Sequence, residues 1–143
     1  MVPYLMGSAL KGLARSFARR LEGWAEELTK TAFGATDEAG YVTFYDALYV
    51  PGSGYNRGQG AQALHRDVLT VHHQKYYQGK SAAPADWDEP NPVPFLSATG
   101  RYLVALSGPT DWVNATFQIL EIALREEGIG AKTSSGYGRM TLD

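Results

Sequence analysis

The sequence has no cysteine. That absence excludes disulfides, thiolate metal sites and a cysteine nucleophile together, and it suits a reducing cytoplasm. No stretch reaches the ~18 apolar residues of a membrane-spanning helix, so none is expected. Residues 1–10 carry no basic leader, and Lys11 and Arg15 interrupt the apolar stretch that follows, so no secretory signal is expected either. Excess positive charge is missing too: the 143 residues carry a net charge of −2. Domains that bind nucleic acid broadly are basic, so any nucleic acid held here must meet a local patch. No repeat of solenoid period occurs. What is present is ordinary globular composition, 44% hydrophobic and 20% charged. It supports one domain over residues 1–143 with its own core.

Apolar residues recur at Leu10, Leu13, Phe17, Leu21, Trp24 and Leu28, in steps of three and four. The spacing predicts a helix from about residue 9 to about residue 30, with Ser8 as its N-cap. Tyr41–Tyr49 alternates like a strand, and Gly52–Gly60 reads as a loop. Leu64–Val71 reads as extended and His72–Gln78 as a short helix. Residues 79–94 are rich in proline and are expected to be irregular, anchored by Trp87 and Phe95. Leu96–Leu106 is a second strand. Thr110 or Asp111 caps a second helix, with Val113, Phe117, Leu120 and Leu124 on one side and Asn114, Gln118, Glu121 and Arg125 on the other. Gly128 stops it, and Tyr137–Leu142 is a last strand. This order is α+β and matches a ferredoxin-like (RRM-like) βαββαβ domain without its first strand. Residues 51–95 form an irregular insertion between the two central strands. Either Val2–Leu5 is a remnant of the first strand, or the chain is truncated, or a partner supplies the edge.

The segment GIGAKTSSGYGRM, residues 128–140, concentrates glycine, charge and hydroxyls. Glycines permit positive φ and close backbone approach. Lys132 and Arg139 supply charge, Thr133, Ser134 and Ser135 supply hydroxyls, and Tyr137 offers a stacking face. Such groups hold the backbone and bases of single-stranded nucleic acid; a turn before an edge strand is the plainer reading. No GK[ST] ends the segment, so it is not a Walker loop. Lys11, Arg15 and Arg19 line one helical face at i, i+4 and i+8, and the helix start at Gly7-Ser8-Ala9 offers N–H groups to an anion. A solvated charged face is the ordinary alternative. His65, Asp67, His72 and His73 suggest an acid–base pair or local backbone hydrogen bonds; adjacent histidines diverge on any regular element and make no chelate. Asp46 is either a metal ligand or, as favoured, a structural acceptor. Asp86-Trp87-Asp88 reads as a loop anchor or a partner contact.

Several segments resemble the RAMP superfamily of CRISPR proteins. MGSALKGLARS (Met6–Ser16) looks like that family's PGSSLKG-type start of its first helix, with Met6 in place of the usual proline. FGATDEAGYVTFYDA (Phe33–Ala47) looks like its FG-to-strand segment, and GIGAKTSSGYGR (Gly128–Arg139) like its glycine-rich loop. DVLTVHHQKYYQG (Asp67–Gly79) and PADWDEPNPVPF (Pro84–Phe95) are similar to the sixth-subunit family of the type III-B Cmr RNA-targeting effectors. The resemblance implies a ferredoxin-like fold and a non-catalytic place in an antiviral ribonucleoprotein. Guide RNA, target RNA and other Cmr subunits would be its partners, without cofactor or metal. With the helix patch, it implies RNA-facing roles for Ser8, Lys11, Arg15, Lys132, Thr133, Ser134, Ser135, Tyr137 and Arg139. The alternatives are a RAMP-type, metal-independent RNA endonuclease with His72 or His73 as general base, and an assembly scaffold.

Overall fold

A computed structural model describes residues 2–35, 38–56, 60–71 and 91–143. The chain runs through strand β1 (Tyr4–Leu5) and helices α1 (Gly7–Ala18) and α2 (Glu26–Phe33). Short strands β2 (Gly34–Ala35), β3 (Glu38–Ala39), β4 (Thr43–Phe44) and β5 (Ala47–Tyr49) follow. Then come β6 (Tyr55–Asn56), β7 (Ala61–Gln62), β8 (Leu64–Val71) and β9 (Asn91–Ala98). Strands β10 (Tyr102–Leu103) and β11 (Leu106–Ser107) lead into helix α3 (Thr110–Glu126) and a 3₁₀ turn at Thr133–Ser135. The paired strands are antiparallel. The chain divides into two units, Met1–Pro51 with Arg101–Asp143, and Gly52–Gly100. No helix of the described residues is long and apolar enough to cross a membrane.

The core of the first unit is a seam between α1 and α3, with α2 and β5 at its sides. Leu10, Ala14 and Ala18, one turn apart on α1, are fully buried. Ile119, Leu120 and Leu124 of α3, Phe33 of α2 and Ala47 of β5 belong to the same cluster. Alanine at positions 14 and 18 lets the helix backbones approach closely, while Leu13, Phe17, Leu21 and Trp24 pack around the margin. An ion pair between Arg20 and Glu127 also joins the ends of the two helices, with side chains 60% and 30% exposed. Exposed pairs of this kind contribute about 0–1 kcal/mol, whereas truncating one buried leucine costs about 2–5 kcal/mol. The apolar seam therefore holds the helices together. On α3 the expected faces are present: Asn114, Gln118, Glu121 and Arg125 are exposed, and Leu120 and Leu124 are buried.

Several boundaries differ from the sequence expectation. The helix expected over residues 9–30 is two helices. Residues 19–25 between them form tight turns, with Arg20 N–H bonded to Phe17 O at 3.1 Å and Leu21 N–H to Ala18 O at 3.1 Å. Gly23 there is left-handed, at φ 85°. The apolar steps run unbroken across these turns because their i→i−3 bonds, such as Trp24 N–H to Leu21 O at 3.2 Å, keep a spacing of three. Trp24 then donates its indole N–H to Thr29 Oγ1 at 2.9 Å, fastening the turn to α2. Neither Thr110 nor Asp111 caps α3: Pro109 holds the N-cap position, and no side chain bonds there.

The strand expected over Tyr41–Tyr49 is broken at Tyr45–Asp46. Phe44 and Ala47 both face the core although three apart, which strict alternation forbids, so the strand must kink between them. Strand β5 is the centre of a three-stranded sheet. It pairs Leu48 with Tyr4 and Ala47 with Leu5 on one side, and Tyr49 with Tyr102 and Leu48 with Leu103 on the other. A strand thus precedes the first helix, two residues long. Burial, and secondarily the Tyr49 phenol, push the Tyr102 phenol above its ordinary range. The last strand expected over Tyr137–Leu142 is not formed. Gly136 and Gly138 turn left-handed there, and the segment bonds to the end of α3 instead of to a ladder.

In the second unit β8 and β9 form a regular eight-pair ribbon from Leu64↔Ala98 to Val71↔Asn91. Leu64–Val71 is extended as expected, but residues 91–94 are strand rather than irregular. Pro92 and Pro94 stand two apart and turn the same edge of a two-stranded ribbon, so their missing N–H groups fall on the outer edge. Thr99 ties the ribbon to the β6–β7 hairpin: Tyr55 N–H donates to its Oγ1 at 2.9 Å, and that hydroxyl donates to Gln62 O at 3.0 Å. Asp67 accepts from the Val68 N–H at 2.9 Å, a local backbone role. His65 is buried beside the Tyr55 ring. His72, His73, the helix expected at His72–Gln78, and Asp86-Trp87-Asp88 lie outside the described residues.

Candidate nucleic-acid interface

The glycine-rich segment is a closed loop rather than a string. Helix α3 ends at Glu126, and the N–H groups of Glu127 and Gly128 both reach back to Ala123 O, at 2.9 and 3.1 Å. Gly128 turns left-handed at φ 81°, as a helix stop requires. Ile129 then plunges into the core. Its N–H donates to Gly138 O at 2.9 Å, and Met140 N–H donates to Leu124 O at 3.0 Å. These two bonds shut the base of the loop. A Cβ on Gly138 would collide with the Ile129 carbonyl oxygen, so the closure demands glycine.

Between the ends of the loop, residues 132–136 make one tight turn. Ser135 N–H bonds to Lys132 O, and Gly136 N–H bonds to Thr133 O, each at 3.0 Å. Lys132 is left-handed at φ 62°, a conformation that costs a residue with a Cβ about 1–2 kcal/mol. Strain of this kind persists where surrounding structure fixes it, often at functional sites. Ser134, Ser135 and Arg139 are exposed, while Lys132, Thr133 and Tyr137 are half-buried. The loop thus collects an ammonium, a guanidinium, three hydroxyls and a phenol ring on one short, braced turn. Hydroxyls and cations suit phosphate oxygens, and a ring suits an unstacked base.

The second patch, at the start of α1, is organised differently from expectation. Ser8 is not the N-cap; it lies within the first turn, exposed. Met6 occupies the N-cap position and its side chain makes no cap bond. The cap comes from far along the chain: Gly7 N–H donates to Asp46 Oδ1 at 2.7 Å. Asp46 is therefore the structural acceptor favoured for it. Ala9 and Leu10 N–H groups both turn to Met6 O, at 3.0 and 3.1 Å. A carboxylate already complements the positive end of the helix, and its charge opposes a phosphate at the same place. The expected grip of the Gly7-Ser8-Ala9 N–H groups on an anion is thereby corrected. Side chains remain to the patch: Ser8 exposed, Lys11 and Arg15 half-buried, Arg19 exposed. Arg15 Nε is enclosed without a hydrogen-bond partner among the described residues. Leu10 beneath this patch and Ile129 beneath the loop belong to one core cluster.

Asp46→Ala is expected to destabilise the chain by about 1 kcal/mol, the usual worth of a lost cap. Asp46→Asn, which keeps an acceptor but not the charge, should lose less. Urea unfolding of the two variants beside the parent measures both. Sequence reasoning did not find Ile129 as the loop's anchor or Gly7 as a point of close approach.

Comparison with known proteins places these features in a family. The RAMP superfamily model matches residues 2–141. The CRISPR system Cmr subunit Cmr6 of Pyrococcus furiosus is 33% identical over 114 residues, 76% of this chain. This chain spans about a third of that relative's length, 32%. Among solved structures, crystalline Cmr6 from Pyrococcus furiosus superposes with a TM-score of 0.62 at 23% identity, over 99% of this chain and 84% of that one. A chain of the type III-B Cmr-beta cryo-EM structure bound to cognate target RNA gives a TM-score of 0.67 at 25% identity, over 96% of this chain and 44% of that one. By its motifs, its fold and the extent of the family match, this chain belongs to the RAMP superfamily.

Proposed function

We propose that the chain is a non-catalytic subunit that holds guide RNA in a type III-B CRISPR effector ribonucleoprotein, in the cytoplasm, beside other Cmr subunits and target RNA. The braced loop at residues 128–140 carries this reading. It presents Lys132, Thr133, Ser134, Ser135, Tyr137 and Arg139 on a turn whose base is closed by Ile129 and Gly138. The segment contains no histidine, aspartate or glutamate, so it offers donors for a phosphate backbone and no carboxylate or imidazole base to activate a nucleophile. The side chains of Ser8, Lys11 and Arg15 supply a second, weaker contact. The likeness to a Cmr subunit and to a chain solved with target RNA supports the same assignment. A ferredoxin-like domain, with residues 51–95 inserted between its central strands, is the fold reading that accompanies it. The order of β1, α1, β4–β5, β10–β11 and α3 supports that reading.

The test is the salt dependence of guide-RNA binding. For single strands, each phosphate contact contributes about 0.7 to the slope of log affinity against log salt. Lys132→Ala combined with Arg139→Ala is expected to weaken binding and flatten that slope by about 1.4. Equal affinity and equal slope for parent and double variant would remove the loop from the RNA site.

A further inference from the structure

We propose that the outer face of the β4–β11 pair is a stacking platform for unpaired bases of the bound RNA, with Tyr41 and Tyr45 as its stacking residues. Val42 is buried and Phe44 packs against the core. Tyr41, Thr43 and Tyr45 alternate with them and face outward, all three exposed. The two rings are 55% and 50% exposed. Four residues of extended chain set them about 13 Å apart, so each ring takes its own base. The register puts Ser107 beside Thr43 on this face. Ala105 lies beside Tyr45, whose N–H donates to Ala105 O at 3.2 Å. Neither ring is loose. Ala105 is small and leaves Tyr45 a diagonal path to Ser107, where the two hydroxyls share a hydrogen bond of 3.1 Å. Tyr41 stands edge-to-face with Trp112 of α3, ring centroids 5.8 Å apart at 87°. Both rings are held in orientation yet exposed, so receiving a base costs them little rotamer freedom.

The chemistry of the face selects its occupant. Aromatic faces stack bases of any sequence. Thr43 and Ser107 add hydroxyls, which suit sugar and phosphate oxygens. The face is also continuous with the patch at the start of α1. The Tyr45 backbone lies against Gly7, where an added Cβ would sit 2.9 Å from Tyr45 C. Ser8 follows directly, and Lys11 stands one turn further on. Asp46, next to Tyr45 in the chain, has its carboxylate on the Gly7 N–H. That charge keeps phosphates off the helix end and leaves them to Ser8 and Lys11, so the strand turns its bases, not its backbone, toward β4. This platform rests on the RNA-holding role proposed above. It adds base contacts beside a patch that otherwise offers only cations and a hydroxyl.

The experiment titrates the full chain with guide RNA across a range of salt concentrations. Tyr41→Leu with Tyr45→Leu occupies the same positions without a ring, and is expected to weaken binding at least about tenfold at every salt concentration. The slope of log affinity against log salt should keep the parent's value, because no phosphate contact is lost. Tyr41→Phe with Tyr45→Phe keeps both rings and should retain most of the affinity. An abasic strand of the same length, which has phosphates but no bases, should bind the parent and the leucine variant alike. Parent-like binding of guide RNA by the leucine variant overturns the platform. So does an equal loss in the phenylalanine and leucine variants, which would assign the effect to the hydroxyls or to folding. A flattened slope also overturns it, since the rings would then act only by supporting the cations. A leucine variant with the parent's RNA affinity that fails to enter the assembled ribonucleoprotein would make the face a protein surface instead. A parent that binds no guide RNA defeats the RNA-holding reading itself, and the platform with it.

Discussion

Gly7→Ala is expected to destabilise this chain by about 2–3 kcal/mol, against the direction that helix propensity gives. Alanine is the better helix former by about 1 kcal/mol. At Gly7, however, a Cβ would run into the Phe44 carbonyl oxygen, and would lie 2.9 Å from Tyr45 C and 3.0 Å from Phe44 C. All three are backbone atoms and have no rotamer to move. Forcing a carbon into such a contact costs typically 1–3 kcal/mol and displaces α1 from the sheet. The same displacement lengthens the Gly7–Asp46 bond. Gly12 provides the control on the same helix. A Cβ there meets nothing within 4 Å, so Gly12→Ala should stabilise by about 1 kcal/mol. Urea unfolding of both variants reads the two opposite signs. A stabilised Gly7→Ala would mean that α1 does not press on β4 as described.

Gly138→Ala is expected to lower guide-RNA affinity at least tenfold and to cost about 2–3 kcal/mol of stability. Two effects combine at this residue. Its φ of 80° disfavours any Cβ, which alone costs about 1–2 kcal/mol. The Ile129 carbonyl then occupies the place of the Cβ, so the Ile129–Gly138 bond must open. With the base open, the turn at residues 132–136 is no longer held to the core, and Lys132 loses the frame that keeps it left-handed. Gly136 separates the two effects. It is left-handed at φ 93°, but a Cβ there meets nothing within 4 Å. Gly136→Ala should therefore show only the conformational cost and keep most of its RNA affinity. Filter binding beside urea unfolding distinguishes the variants, and equal affinities for both would show that closure of the base does not matter.

What could be read from the sequence was mostly what depends on local spacing. The two faces of α3 follow from its apolar period, and Leu64–Val71 follows from its extended pattern. Gly128 as a helix stop follows from glycine's freedom at positive φ. What escaped depends on partners distant in the chain. Asp46 caps a helix 39 residues away, and nothing near Gly7 announces that. The turn at Gly23 was hidden because the residues flanking it keep the spacing of a continuous helix. Pro92 and Pro94 argued against a strand until the ribbon gave them an outer edge. The glycine loop lay between these cases: its composition indicated a glycine-rich turn, but its closed base depends on the bonds from Ile129 and Met140. At the basic end of α1 the Asp46 carboxylate already complements the dipole, which the spacing of Lys11, Arg15 and Arg19 does not reveal.

The most direct test of the account is photo-crosslinking in the assembled ribonucleoprotein, with a photoreactive amino acid placed at Ser134 or at Gln118. Both positions are exposed, one at the tip of the loop and one on the outer face of α3. The loop reading predicts a covalent adduct between guide RNA and the Ser134 position, and none from Gln118. An adduct from Gln118 with none from Ser134 would contradict it.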